Sequence, residues 1–514
     1  ADYVNSDGFL NATTNLTGNI VNLGTIQANK VVLEGNIVTL QNDADIVATN
    51  NAVTINAVNA IEVGKKPDAT YIVDAWTHNE NITKKFNLIS NYDDLKTARN
   101  NPNANFMLAC DIDASPSKNE NEGNGFAYIG TYNGIFNGLN HEIKNLYINN
   151  GQASGHAASH VGLFGNLGSS GVVKNLNMVD CEIHGVEDVA AITGYIINGG
   201  KVINCSTDNS CKIYGTEFVG GIAGTTKGGS IVDCVNNAYV DGWNCVGGIV
   251  GIADGGDFTL DKCINNGHVF CHNDPTFSKY GRDWRYENAH VGGLIGNAGD
   301  GQYPCRITNS TNYGTVAGPQ YVGGIAGSFN GGSIDGCENN AAINGTSYIG
   351  GIIGACIGGL DYTLVFGNTN NGDVSGTEIV GGIVGMHLAG NIQGNNNIGN
   401  IYINGIGVSG HEVFGADWSG NEPMFGSETP TNLSNKPKQT QPMIDNAIYD
   451  GLMAADGLMA ADCLMAADCL KPLISNDFQN FSKKGSSLVG ETIQDAFIEN
   501  KQQLSWGPDN DDPE

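Results

Sequence analysis

Charge is scarce in these 514 residues, and basic charge scarcest: 15% are Asp, Glu, Lys or Arg, and only four are arginine. Lys and Arg number 24 against 53 Asp and Glu, for a net charge of −29, which excludes a basic groove for nucleic-acid phosphates. No run of 18 apolar residues occurs, so no helical membrane span is expected. The 13 Cys include no CxxC pair and no Cys/His metal spacing, and no HExxH zinc-protease segment is present. Nothing in the composition calls for a cofactor. The chain opens at Ala1 without a signal peptide, which reads as a processed or excerpted chain.

What the sequence has is glycine, 73 residues of it, with 40% apolar content. Much of that glycine recurs in one block. Val219 to Gly224 reads VGGIAG, and the block returns at Val246, Val291, Val322, Ile349 and Val380, with looser copies at Val161 (VGLFG) and Val189 (VAAITG). Most copies start about 27 to 31 residues apart, a period that signals a solenoid. About 15 residues after each Val comes a polar corner, such as DCVNNA at Asp233, KCINNG at Lys262 and GCENNA at Gly336. The apolar runs between are too short, and too rich in Gly, for helices.

They suit β-strands that pair in parallel from one coil to the next, with stacking supplying the core. The paired glycines Gly220 and Gly221, Gly247 and Gly248, Gly292 and Gly293, Gly323 and Gly324, Gly350 and Gly351, Gly381 and Gly382 are structural positions of the repeat. Gly and Asn are expected at corners because they accept left-handed backbone angles at least cost. Cys205, Cys234, Cys263 and Cys337 hold one corner position, where other copies carry Ser310 and Asn368. That exchange reads as a small residue stacked inside the coil. A Cys234–Cys263 disulfide is geometrically possible at the coil spacing, but the Ser and Asn copies argue against a need for it.

Before the repeats, residues 1–63 alternate apolar and polar residues in thinner rungs, as in Asn22-Leu23-Gly24-Thr25-Ile26 and Val31-Val32-Leu33-Glu34-Gly35-Asn36. This wording resembles the end of the secretion domain of filamentous haemagglutinin-like exoproteins, which implies a right-handed parallel β-helix exported by an outer-membrane partner. Residues 64–105 read as a junction holding a short helix at Tyr92–Arg99, capped by Ser90 or Asn91. The order Phe106-Met107-Leu108, Gly134-Ile135-Phe136-Asn137-Gly138-Leu139, Asn145-Leu146-Tyr147-Ile148 and then VGLFG resembles the opening of GLUG-motif proteins. That resemblance implies a β-helix over 106–415 and a bacterial surface adhesin or exoprotein.

The one long interruption of the period is an insertion at 268–290, HVFCHNDPTFSKYGRDWRYENAH. It gathers Trp284, Arg282, Arg285, Tyr280, Tyr286 and His272, residue types suited to stacking on a sugar or anchoring a protein partner. A second reading keeps it structural, folded over the solenoid or packed on a neighbouring subunit. His268 and His272 with Asp274 or Asp283 can be written as an acid/base or metal set, but the spacing matches no motif with a mechanism. Asp254, Asp257 and Asp261 read as a solvated acidic loop rather than a calcium site.

Residues 416–450 read as a linker, and 451–514 as a helical or irregular tail containing three Leu-Met-Ala-Ala-Asp units and an amphipathic stretch at 487–504. The expectation is thus an all-β, right-handed parallel β-helix with a short, partly helical C-terminal tail. Its expected role is non-catalytic: an extracellular bacterial surface protein of adhesin type that forms homo-oligomers, end to end or through the tail, and binds a glycan or protein. A polysaccharide lyase or hydrolase on the same fold is the alternative. No catalytic, metal or cofactor residue is assigned.

Overall fold

A computed structural model describes residues 9–13, 20–22, 26–41, 46–66, 77–150, 159–272, 289–358, 363–408 and 413–417. Residues 416 and 417, expected to begin the linker, belong instead to the strand Phe414–Asp417; the rest of the linker and the tail expected at 451–514 lie outside these residues.

One coil shows how the others are made. Gly229–Val232, Val235–Asn236, Tyr239–Gly242, Asn244–Gly247 and Val250–Ala253 are five short strands separated by sharp corners. Each pairs in parallel with its counterpart one coil on: Ile231 with Leu260, Val235 with Ile264, Val240 with Val269, Val246 with Val291 and Val250 with Ile295. The result is a parallel β-solenoid of four sheets, two of 16 strands and two of ten. The insertion does not disturb it, since Val246 still faces Val291 in register. Fourteen strands lie in line along the first sheet, a rod of about 60 Å at the usual strand spacing.

Alternation puts Val, Ile and Leu inward, and one continuous core runs from Ile89 to Ile401. Outside it, Val31, Leu33, Val38, Leu40, Val53, Ile55, Ile61 and Val63 form a separate core under the strands Ile26–Leu40 and Ile46–Lys65. Position 63 falls within the second of these strands, and its next residues pair onward, Gly64 with Phe86 and Lys65 with Asn87. The first sheet therefore passes without a break from the N-terminal strands into the repeats. Glu62, 2% exposed, fastens the join: Lys174 pairs with it, and Thr39 and Asn137 donate to it at 3.2 and 3.0 Å. The helix between them is Tyr92–Thr97, with the Asn91 side chain accepting from the Asp94 N–H at 2.9 Å.

The polar corner divides two tasks that the sequence had merged. Left-handed backbone falls on the residue before each Cys position, at Asn204, Asp233, Lys262 and Asn309. Asn236, Asn265, Asn312, Asn339 and Asn370 are instead wholly buried and form a ladder. The Nδ2 of each donates to the Oδ1 of the next, down to Asn397, at 2.7 or 2.8 Å. Its other hydrogen goes to the carbonyl two residues on, as from Asn312 to Gly314 O at 2.9 Å.

The cysteine column works alongside. The Cys205 N–H donates to the Cys234 sulfur at 3.5 Å, while Ser310 Oγ and Asn368 Oδ1 accept the same bond in their coils, at 3.0 and 2.8 Å. All eleven cysteines among the described residues are thiols. Burial pushes Cys305, Cys337 and Cys356 up to about 12, away from the reactive thiolate.

The motif glycines mark places where neighbouring coils touch backbone to backbone. A Cβ on Gly293 would sit 2.1 Å from Gly324 O and 2.4 Å from the Asn312 side chain; one on Gly296 would meet the Cys245 carbonyl carbon at 2.6 Å. Gly293→Ala must therefore push two coils apart, and should cost about 3 kcal/mol or more. Gly130→Ala, with open space at its Cβ, should stay within about 0.5 kcal/mol of wild type. Chemical denaturation of both variants checks the contrast.

Candidate functional site

Side chains on the outer face of the coil follow from the same alternation. Where Tyr239–Gly242 turns into Asn244–Gly247, Tyr239, Asp241 and Trp243 point outward, and His272 arrives beside them from the next coil. His272 Nε2 lies 2.6 Å from Asp241 Oδ1, and the Tyr239 hydroxyl donates to Oδ2 at 2.9 Å. The imidazole also meets the Trp243 ring at 5.0 Å and the edge of Phe270 at 4.7 Å. Both oxygens of a carboxylate only 6% exposed are thus engaged, and His272 is held in one orientation.

An aromatic column runs into this cluster from the preceding coils. His184 stacks on Tyr214 at 4.9 Å and 17°, Tyr214 leans on Tyr239 at 6.1 Å, and the Lys118 ammonium sits 5.5 Å above the Tyr147 ring. The His184 and Tyr214 faces cover one another, while the buried Tyr239 gives its hydroxyl to Asp241. Glu187 and Glu217 pair in register on the neighbouring strand. Past the insertion, the register of His184, Tyr214 and Asp241 continues as Ala317, Asn344 and Ser375. On this column the aromatic, acidic and imidazole groups run up to Phe270 at the insertion and return at Tyr402.

Of the residues predicted for the site, His272 is in this cluster. Trp284, Arg282, Arg285, Tyr280 and Tyr286 lie outside the described residues. The other two histidines of the insertion do not join His272: His268 Nδ1 contacts Thr315 Oγ1, and His290 stacks on Tyr321 at 5.0 Å, with Tyr321 on Tyr348 at 4.9 Å. Among the described residues no group of three His, Cys, Asp or Glu is placed to hold a metal. Asp261 accepts from Thr308 Oγ1 and Asn309 Nδ2 of the next coil, at 2.7 and 2.8 Å.

Sequence reading missed the column immediately before each VGGIxG block. His160, Asp188, Phe218, Cys245, Tyr321, Tyr348 and Ile379 all take left-handed backbone, which costs about 1–2 kcal/mol per residue. The turn leans each side chain over the following coil. His160 packs on Tyr195 at 4.8 Å and its Nε2 lies 3.0 Å from Asp188 Oδ2, while Thr225 donates to the other oxygen. Phe218, Cys245 and Ile252 form a small buried cluster of their own. The signal available was position, since bulky residues keep recurring at a place next to two glycines.

These features define a class, a parallel β-solenoid built from VGGIxG coils with a decorated outer face. Residues 287–317 match the family model of the GLUG motif. Halomucin of Haloquadratum walsbyi is 29% identical over 202 residues, which are 37% of this chain and 2% of halomucin. The chain thus spans a small fraction of that relative's length. A solved structure of a candidate immunoglobulin A1 protease from Bacteroides ovatus aligns over 63% of this chain and 78% of its own, at 20% identity and a TM-score of 0.37. A likeness at that score carries no argument about either chain. The GLUG motif and the similarity to halomucin fit a surface protein.

The hydrogen bond that His160 donates to Asp188 raises the His160 pKa, against the opposing effect of burial; burial in turn pushes the Asp188 carboxyl up. A histidine with a raised folded pKa stabilises the fold fully below its unfolded value of about 6.5. That contribution is lost as pH rises through the folded value. In a proton NMR titration His160 should change charge above the ordinary histidine range, and Asp188→Asn should bring it back down.

Proposed function

We propose that this chain is a non-catalytic, extracellular surface protein of adhesin type: a stiff β-solenoid rod that presents a recognition face and self-associates into a surface filament. The observation that carries this reading is the division of labour along the coils. Asn, Cys and Gly side positions hold coil to coil, and the aromatic and acidic groups of the outer face run up to the insertion. The GLUG match and the similarity to halomucin support surface display. The long parallel strands at 26–65 support reading the N-terminal part as the end of a filamentous haemagglutinin-like secretion domain. Partners of this kind of face are a surface glycan or protein, bound by Tyr, Trp and Arg side chains.

The polysaccharide-degrading alternative draws on the Asp241 and His272 pair and on Glu187 beside Glu217. Against it, both Asp241 oxygens are already engaged, by Tyr239 and His272, and the side chain is only 6% exposed, which places it poorly for taking a substrate proton.

Incubation with acidic and neutral polysaccharides separates the two. The expected result is binding without new reducing ends or unsaturated products, weakened about tenfold, or about 1.4 kcal/mol, by Trp284→Ala or by Asp241→Asn. Turnover that disappears in His272→Ala would establish the enzyme instead.

A further inference from the structure

One buried carboxylate holds an amine and an amide side by side. Asn137 and Lys174 end the neighbouring strands Ile135–Asn137 and Val172–Lys174 and are partners in register, so one strand spacing, about 4.8 Å, separates their backbones. Glu62 reaches both from the strand Ile46–Lys65. The Lys174 ammonium pairs with its Oε1, and Asn137 Nδ2 donates to its Oε2 at 3.0 Å. Little of this site meets solvent: the Lys174 and Glu62 side chains are 17% and 2% exposed, and Asn137 is 1% exposed. Leu88 and Met107 continue the column of Asn137 and, with Phe86 and Leu139, form a buried apolar cluster. Buried charges hold coils together no better than packed apolar side chains of the same volume. Here they also place a nucleophile beside an acyl carbon.

The Asn137 carbonyl is prepared for attack. Its Oδ1 accepts from the Leu139 N–H and from Asn175 Nδ2, both at 3.0 Å, a two-donor arrangement that stabilises an oxyanion. In an Asn-Gly pair the usual competitor for that carbon is the next backbone nitrogen. The Gly138 N–H is instead tied to Lys174 O at 2.8 Å.

We infer that Lys174 and Asn137 join in an intramolecular amide bond, with Glu62 as the proton carrier. Glu62 takes a proton from Lys174 Nζ, and the freed amine attacks Asn137 Cγ. The oxyanion forms at Oδ1, against the Leu139 N–H and Asn175 Nδ2. Glu62 hands its proton to Nδ2, the Cγ–Nδ2 bond breaks, and a second Nζ proton follows by the same route. The leaving nitrogen departs as ammonium, Glu62 ends as the carboxylate it began as, and no oxidant is consumed. The bond ties two neighbouring coils where the N-terminal strands meet the repeats, and it is independent of the adhesin reading.

Intact-mass measurement and tryptic mapping of the denatured full chain test it. Wild type should be lighter than its sequence by one ammonia, with residues 119–144 joined to 145–201 and no cleavage after Lys174. Lys174→Arg keeps a cation beside Glu62 but removes the nucleophile, and should give the full mass and separate peptides. Glu62→Gln and the milder Glu62→Asp should each leave more of the chain unjoined than wild type. Wild type at its full sequence mass overturns the bond. An ammonia loss that persists undiminished in Lys174→Arg marks cyclisation at an Asn-Gly pair and overturns it too. A folded Glu62 variant joined as completely as wild type overturns the role of Glu62.

Discussion

Everything in this molecule depends on holding neighbouring coils at one strand spacing along the whole rod. Backbone pairing supplies part of that constraint, and the buried asparagine ladder supplies the part that cannot slip. Each rung binds both hydrogens of a side-chain amide, one along the coil and one to the next coil. A slip of one residue would leave several buried amides without partners, at about 1–3 kcal/mol each. The ladder therefore sets register as well as adding stability, much as the hydrophobic alternation does on the inner face.

Close approach then decides the rest of the sequence. The motif glycines admit no Cβ because the next coil's backbone or ladder side chain already occupies the space. The strained left-handed residues before each block use the same tight corner to lay their side chains over the following coil. Large residues accept that strain because their rings and carboxylates are then packed between coils, as at His160 with Tyr195 and Asp188. A rod so constrained has little freedom to rearrange and holds its outer face fixed.

Much of this was legible from the residues. The VGGIxG period placed the strands and their parallel stacking, and Ser310 and Asn368 in the cysteine column correctly argued for stacked small residues. The role of Asn at the corner was read in part: Asn204 and Asn309 do take left-handed turns, but burial makes Asn236 and its successors a ladder. A single sequence shows where polar residues recur, not which way they face. The outer cluster was partly visible: His272 was named, but its partners Asp241, Tyr239 and Trp243 lie a coil earlier, about 30 residues back in the chain. Only the register brings them together.

The ladder is the claim on which the rest stands, and hydrogen exchange of side-chain amides in asparagine-labelled protein tests it most directly. The Nδ2 protons of Asn265, Asn312, Asn339 and Asn370 should exchange as slowly as core backbone amides, while exposed Asn404 exchanges at once. If those four exchanged as fast as Asn404, the ladder would not exist in solution, and register would have to come from the backbone and the hydrophobic face alone.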